Sequence, residues 1–442
     1  MGAQHYDAVV IGAGVGGLCA AAGLTARGLR VLVLEKSPHL GGRCSHRVRD
    51  GFTVTTGAIM IPMGPANAIT QAFQAVGATM TMTETSGSIR YRLPHGDWDT
   101  PKGGGGLRGM IEFALVGDAA AAGELLGRVR EAFTSLDELE NLTLRDWLDR
   151  HSGNANVKGI FQGFCAALMG TNLHEIPAAE FFRFLNSMSR GSRYGLATRG
   201  NGELMESLAA ALEGRGTDIW RSTRCERIHV ERGRATGVRV RDHAGRELDI
   251  RAEYVVSNLG PVRTIELAGG ESLFAGEYLE RLHATPWEAP IIHLSFVTDE
   301  PLIDDFKGSL IFGNTRNLIY LEIPSIISPE LAPPGKFLHT AYGAPQDSAH
   351  PDLERDMKRA LGELEQNFPG TLARAEFLVR ARHSGQAPGM HRWPGYMMPV
   401  DTPVAGLYNV GDGATPPGTI GTEGSAASAR AAVERITATQ AP

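Results

Sequence analysis

An α/β fold in which a parallel sheet gathers strands from separated parts of the chain, and carries a second, mixed α+β domain, is predicted by three observations. The first 35 residues read as strand, helix and strand. Strand patterning returns between residues 225 and 257, and the chain closes on a short strand followed by a helix. At 442 residues the chain exceeds what one hydrophobic core usually serves, which accommodates two domains.

In order along the chain, residues 6–11 predict a buried strand, 15–27 an alanine-rich helix stopped by Gly28, and 30–35 a second buried strand. The run Val31-Leu32-Val33-Leu34 is what a parallel strand covered on both faces requires. Past about residue 75 the character changes: Gly103 to Gly106 is a glycine tract, and 107–185 is mostly helical in pattern. A helix over 202–212 then leads to strands around Arg227, Gly237 and Glu253, which return the chain to the first domain. Between 266 and 394, strands at 291–296 and 309–312 accompany a charged amphipathic helix at 353–367. The strand 407–412 ends in a Gly-Asp turn, and 425–436 is a helix. The predicted division is 1–75, 195–265 and 395–442 for the sheet domain, with 76–194 and 266–394 forming the second.

Composition excludes several function classes. The net charge is -6 and the basic residues are dispersed, so no electrostatic footprint for nucleic acid is expected. Cys19, Cys44, Cys165 and Cys225 are far apart, with no CxxC or Cys/His spacing, so neither a disulfide framework nor a metal site is expected. A reducing, cytoplasmic setting follows, with no leader of signal-peptide form and no apolar stretch of membrane-spanning length. The moderately apolar region from Met110 to Val129 reads as a buried helix, with a peripheral membrane contact as the alternative.

Gly12-Ala-Gly14-Val-Gly16-Gly17 lies between the first strand and its helix and matches GxGxxG. Gly12 permits a tight turn, Gly14 lets backbone approach a pyrophosphate, and Gly17 lets helix and strand pack closely. The helix N-terminus presents unsatisfied N–H groups to the phosphates. This is a Rossmann-type dinucleotide site. Glu35 ends the second strand, where a carboxylate accepts both ribose hydroxyls and repels a 2′-phosphate, so FAD or NAD is favoured over NADP. Lys36 follows it and completes the candidate nucleotide-binding set.

Further segments carry a family resemblance. They are Gly41-Gly42-Arg43, the stretch Asp50-Gly51-Phe52-Thr53-Val54-Thr55-Thr56-Gly57-Ala58, Thr198 to Met205 with Cys225, Gly411-Asp412-Gly413, and Pro416 to Gly424. Together they resemble the phytoene-desaturase-like and flavin amine oxidase superfamily of FAD-dependent oxidoreductases, over nearly the whole chain and in the same order. The resemblance implies non-covalent FAD, since no cysteine follows Cys225 to form a thioether. It places Gly42 and Arg43 along the phosphates and flavin edge, and the backbone of Gly57 and Ala58 beside the isoalloxazine. Where the family has an acidic residue this chain has Thr55. Asp412, after Gly411, takes a ribityl hydroxyl by the same resemblance. The helix N-terminus at Gly421, Thr422 and Glu423 faces the flavin pyrimidine, where its dipole stabilises negative charge. Cys225 lines the adenine pocket or is a plain core residue.

The resemblance implies a small, apolar or alicyclic substrate losing a hydride and a proton. With no second GxGxxG after a strand, electrons are expected to pass to oxygen or a quinone. Alternatives are amine oxidation, a redox-neutral isomerisation, and a non-catalytic lipid carrier resembling the Rab escort and GDP-dissociation-inhibitor proteins. His391, Trp393 and Tyr396 sit where amine oxidases bring aromatics over the flavin. Trp393 and Tyr396 are candidates to flank a substrate and His391 or Tyr396 to move a proton, against the alternative of packed interface residues. Met60, Met63, Phe161, Phe164, Phe181, Phe182 and Phe184 either line an apolar pocket or form core.

Overall fold

A computed structural model describes residues 5–102, 106–188, 193–285, 287–304, 306–385 and 387–439. The glycines Gly103, Gly104 and Gly105 of the tract lie outside the described residues. The strands His5–Ile11 and Val31–Leu34 pair in parallel through the helix Val15–Thr25. That helix is buried at nine of its eleven positions, because the sheet covers one side and the C-terminal helix Gly421–Ala438 the other. Small residues permit the approach: a Cβ added at Gly23 would meet Val433 Cγ2 at 2.8 Å.

The sheet orders its strands as Arg224–Glu231, Arg234–Arg241, Glu247–Ser257, His5–Ile11, Val31–Leu34 and Asp218–Trp220, with Leu407–Asn409 joining Glu247–Ser257. Its centre is parallel, and the first three strands are antiparallel. Arg232 and Gly233, both at positive φ, make the two-residue turn that joins two strands of this antiparallel edge. The C-terminal helix begins at Gly421, four residues before the predicted Ser425. Glycine and serine in its first turn, at Gly421, Gly424 and Ser425, are weak helix formers, and so hide that turn from sequence patterning.

A second sheet runs Glu376–His383, Ile291–Thr298, Phe337–Gly343, Leu318–Glu322, Ser309–Phe312 and Ile89–Arg92. Alternation along its strands gives it two different faces. Leu294, Phe296, Leu310, Leu321 and Ala341 pack with Met357, Ala360 and Leu364 of the amphipathic helix Leu353–Asn367. His293, Ser295, Ser309, Tyr320, Glu322, Thr340 and Tyr342 stand on the opposite face, all buried.

Five helices between Leu107 and Met188 complete this half. Phe161, Phe164, Phe181, Phe182 and Phe184 are buried in one core cluster, so these aromatics are core. In the Met110 to Val129 region, Met110, Ile111, Ala114, Ala122, Leu125 and Val129 also point into that core. Among the described residues no helix is long and apolar enough to cross a membrane, and no group of three or more His, Cys, Asp or Glu is placed to hold a metal ion.

Candidate active site

The site forms at the carboxyl ends of the parallel strands, where an open α/β sheet leaves a crevice. Gly12 turns the chain at φ +92°, and its N–H is held by the Leu34 carbonyl at 2.8 Å. A Cβ at Gly17 would stand 1.9 Å from the Gly12 carbonyl oxygen, so the contact between turn and helix admits only glycine. Gly14 caps the helix without a side-chain hydrogen bond, leaving first-turn N–H groups directed outward. Gly41 donates to the Ala13 carbonyl at 2.8 Å, and a Cβ at Gly42 would meet only Gly14 Cα, at 3.9 Å. Two bare backbone segments therefore face each other. Glu35 accepts the Ala13 N–H at 2.9 Å through Oε2 and the Ser37 N–H at 2.8 Å through Oε1, which fixes its carboxylate at the strand end. Each oxygen keeps a lone pair. Lys36 beside it is exposed. This backbone cradle, uncapped helix and fixed carboxylate fit a dinucleotide.

A second region is sewn to the first. Ala58 donates to the Arg43 carbonyl at 2.9 Å, and a Cβ at Gly57 would clash with that same oxygen at 2.5 Å. Asn201 Nδ2 holds the Ala58 carbonyl at 2.6 Å, and the Gly202 N–H reaches His46 Nδ1 at 3.0 Å. The middle sequence motif is thus tied to the same corner. From the other sheet, the Tyr342 hydroxyl donates to the Gly57 carbonyl.

The third region closes the crevice. Gly411, at φ +94°, donates its N–H to Ser428 Oγ at 2.8 Å, and a Cβ at Gly16 would lie 2.7 Å from the Gly411 nitrogen. Asp412 is paired with Arg43 through two hydrogen bonds, of 2.5 and 2.8 Å, and with His391 Nδ1 at 2.8 Å. A carboxylate only accepts, so an Nδ1–H is the group that meets Asp412, with Arg43 Nη2 also 3.1 Å from the same nitrogen. Burial alone would raise the Asp412 carboxyl, but Arg43 and His391 beside it hold it well below the usual carboxylate range. Arg43 also donates to the Gly389 carbonyl at 2.8 Å. The two side chains that the resemblance assigns to separate parts of FAD are thus bonded to each other.

The sequence matches the flavin-containing amine oxidoreductase family over residues 15–437. The chain belongs to this family. FAD is accordingly its cofactor. The chloroplastic prolycopene isomerase of Arabidopsis thaliana is 28% identical over an alignment covering 94% of this chain and 80% of that one. An oxidoreductase from Methanosarcina mazei superposes with a TM-score of 0.85 at 26% identity, covering 97% of this chain and 99% of the other. Putrescine oxidase bound to putrescine superposes with a TM-score of 0.70 at 15% identity, over 98% and 99% of the two chains, a likeness of fold alone.

The remaining candidate residues occupy different settings. Glu423, at the N-terminus with Gly421 and Thr422, turns its carboxylate away to accept the Ala68 and Ile69 N–H groups, at 2.7 and 3.4 Å. It thereby caps the helix Ala68–Val76. Glu423→Ala is expected to cost about 1 kcal/mol, read as a lowered melting temperature of the FAD-loaded protein. Nothing within 4 Å would meet a Cβ at Gly421, so that helix end is open. Cys225 is buried on its strand, in the cluster with Ile228 and Val240. Burial pushes its thiol up to about 12.

Trp393 donates its ring N–H to the Glu288 carbonyl at 2.9 Å, and Tyr396 meets it edge to face at 6.4 Å. Arg392 beside Trp393 is fully buried and donates to the carbonyls of Tyr396, Leu282 and Arg281, which anchors this loop. His391 belongs to the Asp412 pair, whereas the Trp393 ring is held by the Glu288 carbonyl instead.

Several residues at the site carry no local sequence signature. Asn258 follows the strand Glu247–Ser257 and wedges between Gly12, Gly14, Gly16 and Gly411. Its signal is position: a polar residue just past the carboxyl end of a parallel strand. Ser428 and Tyr342 also hold the site without a motif.

Proposed function

We propose that this flavoenzyme removes a hydride and a proton from a carbon centre of a small, largely apolar molecule and passes the electrons to oxygen or a quinone. The observation that carries this reading is the bond from Tyr342 to the Gly57 carbonyl. Gly57 and Ala58 form the segment proposed to run beside the flavin ring, and Tyr342 stands on the interior face of the second sheet. A molecule on that face is therefore presented to the redox cofactor. FAD, when bound, supplies the hydride acceptor. The chain supplies the rest: Gly12, Gly14, Gly17, Glu35, Lys36 and Gly42 to hold the nucleotide, Gly411 with Arg43 and Asp412 to fix the middle of the cofactor, and the open end at Gly421 and Thr422 to face its ring.

His391 has a candidate role as proton carrier, since Asp412 holds its Nδ1 and the second ring nitrogen, Nε2, is proposed to exchange the proton. Trp393 and Tyr396 are proposed as side walls of the substrate space. These 442 residues have no second GxGxxG following a strand, which supports a non-nicotinamide electron acceptor.

A redox-neutral isomerisation is the second reading, favoured by the similarity to prolycopene isomerase over 94% of the chain. Anaerobic titration of the FAD-loaded protein with alicyclic alcohols and ketones, polyenes and primary amines separates the readings. Bleaching of the flavin band by an alicyclic or polyene compound is expected. Bleaching by amines alone overturns the proposal in favour of amine oxidation. Conversion only after prior reduction of the flavin, with the flavin still reduced afterwards, favours the isomerase.

A further inference from the structure

The buried interior face of the second sheet carries Val297, Ile311 and Leu338 in the apolar core, and among them a polar cluster that the fold itself does not need. The opposite face of the same strands is filled with Leu294, Phe296, Leu310 and Leu321, so these strands readily carry apolar residues. On the interior face, Ser309 Oγ lies 3.4 Å from Glu322 Oε1 and 3.3 Å from the Tyr320 hydroxyl. Glu322 is 0% exposed, and its Oε2 makes no hydrogen bond among the described residues. Buried carboxyl oxygens are normally partnered, so an unpartnered one calls for an explanation.

The polar run continues across the sheet toward the flavin side. The rings of Tyr320 and Tyr342 stack at 6.4 Å, Tyr342 and His293 lie 5.0 Å apart, and His293 and His383 5.8 Å apart. His383 Nε2 is also without a hydrogen bond among the described residues. Its protonated form is disfavoured by burial and by Arg43 of the Asp412 pair. Beside Glu322, its register partner Thr340 borders a cavity also lined by Thr55, Asn201 and Leu338.

We infer that Glu322, with Ser309 and Tyr320, is a specificity subsite for one hydrogen-bond-donating group of the substrate, a hydroxyl or an ammonium, carried on an otherwise apolar body. This deepens the proposed function and rests on its placement of substrate along this face. It separates the substrate class from unfunctionalised hydrocarbons such as carotenes, which offer the carboxyl nothing. A site built to take a donor discriminates against an analogue that lacks one, because the buried acceptor is then left unpaired. The carboxyl suits both donors. Burial, against the hydrogen bonds from Tyr320 and Ser309, pushes it up to about 7, so it is available as an acceptor in either protonation state near neutrality.

The test uses FAD-loaded protein and three probes of one body: cyclohexylmethanol, cyclohexylmethylamine and methylcyclohexane. Binding is read anaerobically as perturbation of the flavin band and, independently, by calorimetry. At least one donor-bearing probe is expected to bind about tenfold or more tighter than methylcyclohexane. Glu322→Leu should abolish that difference while FAD content stays unchanged, and Ser309→Ala should reduce it. Glu322→Gln should retain the preference if the hydroxyl is the donor and lose it if the ammonium is. Equal binding of all three probes by the wild type, or an undiminished preference in both Glu322→Leu and Ser309→Ala, would overturn the subsite. Failure of every probe to bleach the flavin, with the binding preference intact, would instead count against the proposed reaction alone.

Discussion

Asp412→Ala is expected to strip the protein of FAD and to destabilise it by about 3 kcal/mol, the lower end of the cost of breaking a buried ion pair by removing one partner. The lower end applies because the Arg43 side chain is 33% exposed and recovers some hydration. Two losses add. Arg43 forfeits both carboxylate bonds, and His391 forfeits the acceptor that fixes its Nδ1 proton. Asp412→Asn keeps one acceptor oxygen and is expected to lose less of both. Flavin retained per chain after gel filtration, and urea unfolding of the same samples, measure the two effects. Retention of wild-type flavin by Asp412→Ala would remove this pair from the cofactor site.

Glu322→Gln is expected to act in the opposite direction, and only above mid-range pH. Its folded carboxyl holds a proton up to about 7, against an ordinary value of 4.5, because burial disfavours the charge. The folded state therefore binds more protons than the unfolded state inside that window, and stability falls as pH rises through it. The penalty is absent below the ordinary value and complete above about 7. At about 1.4 kcal/mol per pH unit it amounts to about 3 kcal/mol, an upper figure for a group that can relax. Urea unfolding at about pH 8 and about pH 4 should show the glutamine protein more stable at the first and level with wild type at the second. An equal gain at both would assign the effect to packing and leave the carboxyl without its strain.

What was legible in the sequence follows the range of each interaction. The glycines at 12, 14 and 17 answer to contacts within one turn, such as the 1.9 Å approach that a Cβ at Gly17 would make, so their spacing alone points to the loop. Glu35 is equally local, two residues from one of its partners. The Arg43 to Asp412 pair joins residues 369 positions apart, and resemblance names both members without disclosing that they meet. The interior polar face is harder still. Tyr320 and Glu322, Thr340 and Tyr342, and His293 and Ser295 each show the alternation of a strand, but only the pairing of three strands stacks them on one side. The C-terminal helix start was displaced for a simpler reason, the weak helix propensity of Gly421, Gly424 and Ser425.

One FAD site assembled from three distant regions of this chain should register in all three at once when amide hydrogen exchange is compared with and without FAD. Protection on FAD binding should appear together in three segments: 12–17 with residue 35, 41–58, and 411–424. Protection confined to the first segment, with the other two exchanging as in the FAD-free protein, would contradict it.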